Sequence, residues 1–388
     1  MDHDVLIVGG GNAGISLAAR LLKDGVTDVA LVESEKVHRY RPLLNYVGSG
    51  EATMSALERP ASSVVPDGCT SIQDRVVAVD PREPSVTTRT GRRISCSTLV
   101  LCPGLEEDWE ATPGLREAYA AGWAGSTFLV ETAPRVWSAL RDLTTGRVVF
   151  TMPPEPAPCG ATALKPLLMA CDHWRRAGVL ADLDVTLVLP RSSPLDVPQA
   201  DVRLEVILSS YGVEVVRSAH VVEVGDRRLT VRTPDGHLEL DNLAYAHVVP
   251  HYRAPGWIAE ADLGQATGLV DIDPETLQHR RHPSVWAIGD AADVATRPSG
   301  GALRKQVDVL AHNLTRAGGT PARRYDGYTV MPITTSRHRL MLVEVDRRGK
   351  LTPTVPFPDL IRPRTLTWWV DRYALPLTYF RRILRGKV

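Results

Sequence analysis

The chain has 388 residues, of which 44% are hydrophobic and 23% charged, with a formal net charge of zero and a pI near 7.2. That length holds two domains with substantial cores, and the composition is that of a soluble globular protein. The balanced charge lacks the basic excess of a nucleic-acid binder, so no nucleic-acid partner is expected.

No apolar run approaches the roughly 18 residues a membrane span requires. With a first strand beginning at Val5, no signal segment is expected. The five cysteines (Cys69, Cys96, Cys102, Cys159 and Cys171) are odd in number and scattered, unlike a secreted disulfide framework. No CxxC pairs occur, so no metal site is expected. These features predict a cytoplasmic protein, and the Arg- and Ala-rich, Lys-poor usage predicts a bacterial source.

Val5-Leu6-Ile7-Val8 is an apolar run ending in Gly9-Gly10-Gly11-Asn12-Ala13-Gly14, and Ile15 to Leu22 follow at helical spacing. A second strand, Asp28 to Val32, ends at Glu33 and Ser34. This is strand, G-x-G-x-x-G turn, helix, strand and carboxylate. Gly9 permits the tight turn, Gly11 lets backbone N–H groups approach a pyrophosphate, and Gly14 lets helix and strand pack closely. Glu33 falls about 20 residues on, where a carboxylate accepts hydrogen bonds from ribose hydroxyls. Ser97 to Leu101 form another buried strand, running into the turn Cys102-Pro103-Gly104.

A second α/β unit follows. Arg147 to Met152 read as its first strand, Thr162 to Arg176 as its helix and Asp184 to Leu189 as its second strand. A charged helix (Asp201 to Tyr211) and alternating strands between Val213 and Leu240 complete it. The glycine turn is missing: after Met152 the sequence reads Pro153-Pro154-Glu155-Pro156-Ala157-Pro158-Cys159-Gly160. Proline offers no N–H to an anion, Glu155 repels one, and Leu189-Pro190 brings no carboxylate for a ribose. NAD(P)H therefore has no expected place to dock, and electrons must come directly from the substrate. Cys159 stands before a helix, whose positive end is expected to lower the thiol pKa and favour thiolate.

Downstream, Ser284 to Ile288 form a strand ending in Gly289-Asp290, and Ser299-Gly300-Gly301-Ala302 open a helix running through Lys305 and Gln306. This pattern suits a flavin: Asp290 would bond ribityl hydroxyls, and helix N–H groups would face the electron-rich pyrimidine edge. Noncovalent FAD is the expected cofactor. Lys305 and Gln306 would then support the reduced, anionic ring. From Tyr325 the chain reads as a short sheet, Pro-rich turns and a basic aromatic segment from Thr367 to Arg385. Trp and Leu in such a segment can sink into a bilayer surface with Arg at the headgroups, or the segment can pack on its own body or a second subunit. Pro376 is expected to split it into two short helices. The fold class is α/β with two Rossmann-like folds. Residues 1–115 and 255–318 make a discontinuous FAD domain, 116–254 the second fold, and 319–388 a C-terminal tail domain.

Several stretches are more particular than the glycine motif: His38-Arg39-Tyr40-Arg41-Pro42, Cys159-Gly160-Ala161-Thr162-Ala163-Leu164-Lys165, Gly268 to His279, and Tyr325-Asp326-Gly327-Tyr328-Thr329. In these the chain resembles the mitochondrial-type sulfide:quinone oxidoreductases, within the pyridine nucleotide-disulfide oxidoreductase superfamily. The resemblance implies a flavin held in part by Arg41 and Pro42, and a cysteine pair that carries a bridging sulfur, with electrons passing to a quinone. It also implies a monotopic membrane contact through the tail. Cys159 matches one cysteine of the pair, but Met331 stands where the second belongs, and a thioether forms no disulfide. Cys171 lies 12 residues further along the same helix, about 18 Å at 1.5 Å per residue, beyond disulfide reach. The family's flavin-facing lysine is replaced by Pro298, next to Arg297. His251, after Val248-Val249-Pro250, is placed near the ring as an acid–base group or in a solvated loop.

Three functions fit. The first is oxidation of sulfide or a small thiol at Cys159, with the sulfur leaving as a persulfide on an external thiol. The second is a flavoenzyme acting on an organic metabolite without a cysteine pair. The third is a flavin-bearing binding or sensor protein.

Overall fold

The computed structural model describes residues 2–316, 320–355 and 359–387. The boundary expected at 318/319 lies outside these described residues.

Two sheets organise the chain, the first mixed and the second parallel. In the first the strand order is Cys69–Gln73, Val29–Glu33, His3–Val8, Arg93–Leu101, Ser85–Thr88, Val76–Asp80, and Val285–Ala287 also pairs with Arg93–Leu101. Its register sets Val8 beside both Val32 and Leu101, and Leu101 beside Ala287. The carboxyl ends of four parallel strands therefore share one edge, where Gly9, Glu33, Cys102 and Gly289 emerge. Ligands of open α/β sheets bind outside that edge. The long strand Arg93–Leu101 serves two neighbours: its first half pairs antiparallel with Ser85–Thr88, its second half parallel with His3–Val8.

The opening strand is buried from Val5 onward because helix Asn12–Lys23 covers it with Ala13, Ile15, Leu17, Ala18 and Leu21. Arg20 and Lys23 lie in that helix's last turn, where cations complement its dipole.

The second sheet is all parallel, in the order Ala124–Gly125, Leu243–His247, Gly146–Thr151, Leu183–Val188, Glu214–Val216. Helix Leu164–Ala177 packs its apolar stripe over it and stops at Gly178, whose φ of 78° suits glycine. There the N–H of Val179 bonds Trp174 O and the N–H of Gly178 bonds Arg175 O, a Schellman closure. A three-stranded meander from His220–Gly225 to Gly236–Leu240 flanks this unit. The two folds are joined by the antiparallel pair Glu106–Asp108 and His251–Arg253.

The C-terminal hairpin, Thr329–Ser336 with Arg339–Val345, buries Met331, Ile333, Met341 and Val343 in the core of the second fold. The tail then runs Thr365–Trp369, Val370–Ala374 and Leu375–Arg381. The expected split at Pro376 does not occur. Val370–Ala374 widens into a π-turn, in which Leu375 N bonds Val370 O. Pro376 falls in the first turn of the next segment, where its missing N–H and its ring do no harm. Tyr379 and Leu384 anchor the tail in the core of the first fold.

Candidate functional site

The glycine turn is dictated by close approach. A Cβ on Gly9, at φ 100°, would stand 2.2 Å from Cys102 O, and one on Gly14 would stand 1.9 Å from Gly9 O. A Cβ on Gly11 would meet nothing within 4 Å, so open space faces the turn there. The opening helix has no side-chain N-cap and no acidic residue in its first turn. Its first intrahelical bond runs from Ile15 N to Gly11 O, which leaves the N–H groups of Asn12, Ala13 and Gly14 ahead of the ladder. Glu33 ends its strand with Oε2 accepting Gly10 N at 2.6 Å and Oε1 accepting Glu35 N at 2.7 Å. Ser34 follows it, half buried.

The downstream turn closes onto this one. Asn12 Nδ2 bonds Gly300 O at 3.3 Å, and Gly289 approaches Ala13 so closely that a Cβ would lie 3.4 Å from Ala13 Cβ. Buried Gln306 accepts Gly289 N at 3.0 Å. The Asp290 carboxylate accepts no hydrogen bond among the described residues, and burial pushes its pKa up to about 6, with Arg41 opposing the rise. Arg41 Nη2 donates to Phe128 O at 2.9 Å, and Pro42 follows it in the turn Arg41–Leu43. Pro103 and Gly104 carry the chain away from the Cys102–Gly9 contact, while Cys102 itself is buried and its thiol is pushed up to about 12.

These features fit FAD. An uncapped helix start beside an open glycine suits a pyrophosphate, Glu33 suits a ribose, and the unbonded Asp290 suits a polyhydroxyl chain. The Tyr252 hydroxyl is buried and without a hydrogen-bond partner, within the electrostatic reach of Arg41 and Asp290.

Cys159 lies within the electrostatic reach of Asp290. It holds a left-handed backbone (φ 50°) before the short turn Gly160–Ala163, and its carbonyl accepts the Thr162 hydroxyl at 2.9 Å. The expected thiolate is not what this setting favours. Burial pushes the thiol up to about 12; Asp290 and Asp371 reinforce the rise, and Lys165 and Thr162 oppose it. A four-residue 3-10 turn has little dipole to offer, and burial, reinforced by the carboxylates, outweighs it.

His251, expected near the ring or in a solvated loop, lies in the short strand His251–Arg253. Strand alternation turns Tyr252 into the core shared with Met331, Ala157 and Ala161, and turns His251 the other way. There its ring lies 5.8 Å from His220, and burial lowers its pKa. Lys305 also departs from its expected role, for its ammonium meets Asp326 at 2.7 Å and lies 4.4 Å from the Tyr328 ring. Its charge is already neutralised. The strand bearing Met331 packs against the Gly160–Ala163 turn, and Arg297 Nη1 lies 4.0 Å from the Met331 sulfur.

The proline loop is braced by charge. Glu155 pairs with Arg191 at 3.0 Å and with Arg297 at 3.1 Å, and Asp196 binds the same two arginines. Among the described residues no group of three or more His, Cys, Asp or Glu is placed to hold a metal.

Two features were missed in the sequence. Lys165, Asp371 and Tyr46 form a buried polar network near Cys159. His38 joins Gly10 O, at 3.2 Å, to the tail hydroxyl of Tyr379. The lysine's place in an apolar helical stretch was the one available hint.

Residues 3–136 match the family described as pyridine nucleotide-disulphide oxidoreductase. The mitochondrial sulfide:quinone oxidoreductase of Mus musculus is 29% identical, covering 99% of this chain and 87% of that protein. The Dictyostelium discoideum protein of the same name is also 29% identical, with 99% and 86% covered. Among solved structures, the sulfide:quinone oxidoreductase of Aquifex aeolicus superposes with a TM-score of 0.83 at 15% identity, covering 99% of this chain and 92% of that one.

Proposed function

We propose that this chain, a relative of the sulfide:quinone oxidoreductases over its whole length, is an FAD-dependent oxidoreductase that oxidises sulfide or a small thiol at Cys159 and passes the electrons to a quinone. The observation that carries the reading is the convergence at one crevice: a dinucleotide turn, the unbonded Asp290, and Cys159 within the field of that carboxylate.

Gly9, Gly11 and the start of the opening helix hold the pyrophosphate, Glu33 the ribose, and Asp290 with Gln306 the far end of the cofactor. Bound FAD supplies a two-electron acceptor that can be reoxidised by quinone. At Cys159 a sulfur–sulfur bond forms between Sγ and sulfide; the pair gives up two electrons and two protons, and Cys159 becomes a persulfide. An external thiol then attacks the outer sulfur, leaves as a persulfide and restores the cysteine thiol. This acceptor takes the place of the second cysteine, where Met331 stands. The Glu155–Arg191–Arg297–Asp196 cluster supports direct entry of electrons from the substrate, because both arginines near the proline loop already hold carboxylates.

The tail supports peripheral membrane contact. Leu366, Trp369, Tyr373 and Leu377 are exposed along one face, with Arg381, Arg382 and Arg385 exposed beyond them. Such a stripe with a basic end suits an anionic lipid surface. No described helix is long and apolar enough to cross a membrane.

Stopped-flow mixing tests the reading. Sulfide with a thiol acceptor should bleach the flavin, Cys159→Ser should abolish the bleaching, and NADH should leave the colour unchanged. Unchanged reduction in Cys159→Ser overturns it. The protonated Cys159 and the thioether of Met331 favour a second reading, oxidation of an organic metabolite. A sulfur-free substrate that bleaches both proteins alike would select that reading.

A further inference from the structure

The loop that leads into Cys159 has few backbone tethers. Pro153, Pro154, Pro156 and Pro158 have no N–H to donate, and residues 153–158 make no backbone hydrogen bond among the described residues. Side chains hold the loop instead. Ala157 is buried in the core that contains Met331. Gly160, next to Cys159, packs against the same loop: a Cβ on it would lie 3.5 Å from Pro153 Cγ and 3.7 Å from Ala157 Cβ. The polar tie is Glu155, whose Oε1 meets Arg191 at 3.0 Å and Arg297 at 3.1 Å.

The two arginines come from different folds. Arg191 follows the strand Leu183–Val188, in the same sheet as the strand that precedes the loop, and so braces the loop within its own fold. Arg297 comes from the first fold, in the segment between Val285–Ala287 and Leu303–Thr315 that also carries Asp290. Its guanidinium meets Glu155, Asp196 and Leu195 O, and Nη1 lies 4.0 Å from the Met331 sulfur. Its own carbonyl accepts the Thr329 hydroxyl at 2.8 Å. One side chain thus joins the Asp290 segment to the proline loop, to the loop before Pro198–Ser210 and to the strand of Met331. The Arg297 side chain is 18% exposed, against 54% for Glu155 and 48% for Asp196. Isolated exposed ion pairs hold little, but a planar, mostly covered fork fixes several acceptors at set angles, which an ammonium on a flexible stem does not.

We propose that Arg297 is a positioning residue that sets the loop of Cys159 against the Asp290 segment, and so fixes where the sulfur stands at the crevice. This inference rests on Cys159 being the reacting sulfur of the proposed function. Arg297→Lys keeps the charge and loses the fork; Glu155→Gln keeps the shape and loses the charge. Both variants release the loop, and neither touches the sulfur itself.

The test is the rate of Cys159 alkylation by iodoacetamide in the FAD-loaded protein at one pH, resolved from the other four cysteines by peptide mass mapping. Arg297→Lys and Glu155→Gln should each quicken it about fivefold, while buried Cys102 and Cys171 keep the parent's rate. The double variant should be no faster than the singles, because both substitutions break one tie. An unchanged Cys159 rate in both single variants overturns the proposal, as does a quickening shared by Cys102 and Cys171, which would report general loosening. Stopped-flow mixing with sulfide gives the second readout: in Arg297→Lys the limiting rate of flavin bleaching should fall about tenfold, with the half-saturating sulfide concentration unchanged. A bleaching parent whose limiting rate survives the substitution also overturns the proposal. The alkylation needs no sulfide, quinone or turnover. Selective quickening at Cys159 in a protein that sulfide never bleaches would remove the proposed function and leave the positioning of the loop standing.

Discussion

His38 Nε2 and the Tyr379 hydroxyl lie 2.6 Å apart, although 341 residues separate them. The other ring nitrogen, Nδ1, contacts Gly10 O, which can only accept, so Nδ1 carries the proton and Nε2 accepts from Tyr379. The imidazole is thus a buried strut between the glycine turn and the tail, and burial keeps it neutral by lowering its pKa. Tyr379→Phe leaves Nε2 buried without a donor, which costs about 1–2 kcal/mol. Denaturant unfolding should show that loss. FAD should also dissociate faster, because the carbonyl of Gly10 loses its brace.

Two glycine substitutions separate folding from cofactor binding. In Gly14→Ala the new methyl collides with Gly9 O, so the protein should be destabilised with or without FAD. In Gly11→Ala the methyl enters open space, so the FAD-free protein should melt as the parent does. Fluorescence titration should nevertheless show FAD bound at least about tenfold more weakly, about 1.4 kcal/mol, because the methyl occupies the place where the phosphates approach the backbone. Equal FAD affinity in Gly11→Ala would remove the pyrophosphate from that turn.

The first nucleotide fold was legible because its constraints are local. Gly9, Gly14 and Glu33 lie within one 25-residue stretch, 9–33, and the strand, turn and helix that require them are contiguous. The second fold was legible by hydrophobic pattern, and its lost turn by the prolines between Met152 and Cys159. The contacts that tie the tail to the site were not legible. Lys165 with Asp371 and His38 with Tyr379 are pairings across the chain that no spacing encodes. The tail's continuity at Pro376 depends on a π-turn that the sequence does not announce. The thiol of Cys159 was misjudged because helix-start reasoning ignores burial first, and then the carboxylates of Asp290 and Asp371 that add to it. His251 was read as a neighbour of the ring or a loop residue, whereas it lies in a strand whose alternation sends Tyr252, not His251, into the core of the second fold.

His247 sets a pH dependence of stability. It is fully buried, and its Nε2 accepts Thr127 N at 2.9 Å, so the native ring is neutral. Burial pulls its pKa down from 6.5 to about 3. A depressed histidine binds its proton more tightly when unfolded. Its contribution is therefore complete above the unfolded value and is lost as pH falls from 6.5 towards 3. In that window the stability should fall by about 1.4 kcal/mol per pH unit through this one group. His247→Gln retains an acceptor for Thr127 N but does not titrate. Urea unfolding at pH 7 and pH 5 should show the variant losing about 2 kcal/mol less than the parent across that interval; equal losses would show that His247 does not titrate as described.

Met331→Cys tests what the missing thiol means. The strand Thr329–Ser336 packs against the turn after Cys159, and Met331 is 3% exposed in that contact. A cysteine there is smaller than methionine, so the substitution leaves space rather than a clash, and folding should survive with a loss of about 1–3 kcal/mol. If Cys159 now uses an external thiol as its sulfur acceptor, an internal thiol at 331 should take over that step. A second round of flavin reduction should then proceed with no added acceptor, the first sulfur resting as a persulfide on the introduced thiol, and the rate at low acceptor should rise about tenfold or more, about 1.4 kcal/mol of barrier. Cys159→Ser in the same background should abolish the gain, because the new sulfur would have no partner. A Met331→Cys protein that still needs added thiol for every turnover would mean that position 331 does not face Cys159, and that the sulfur leaves by a route the strand does not border.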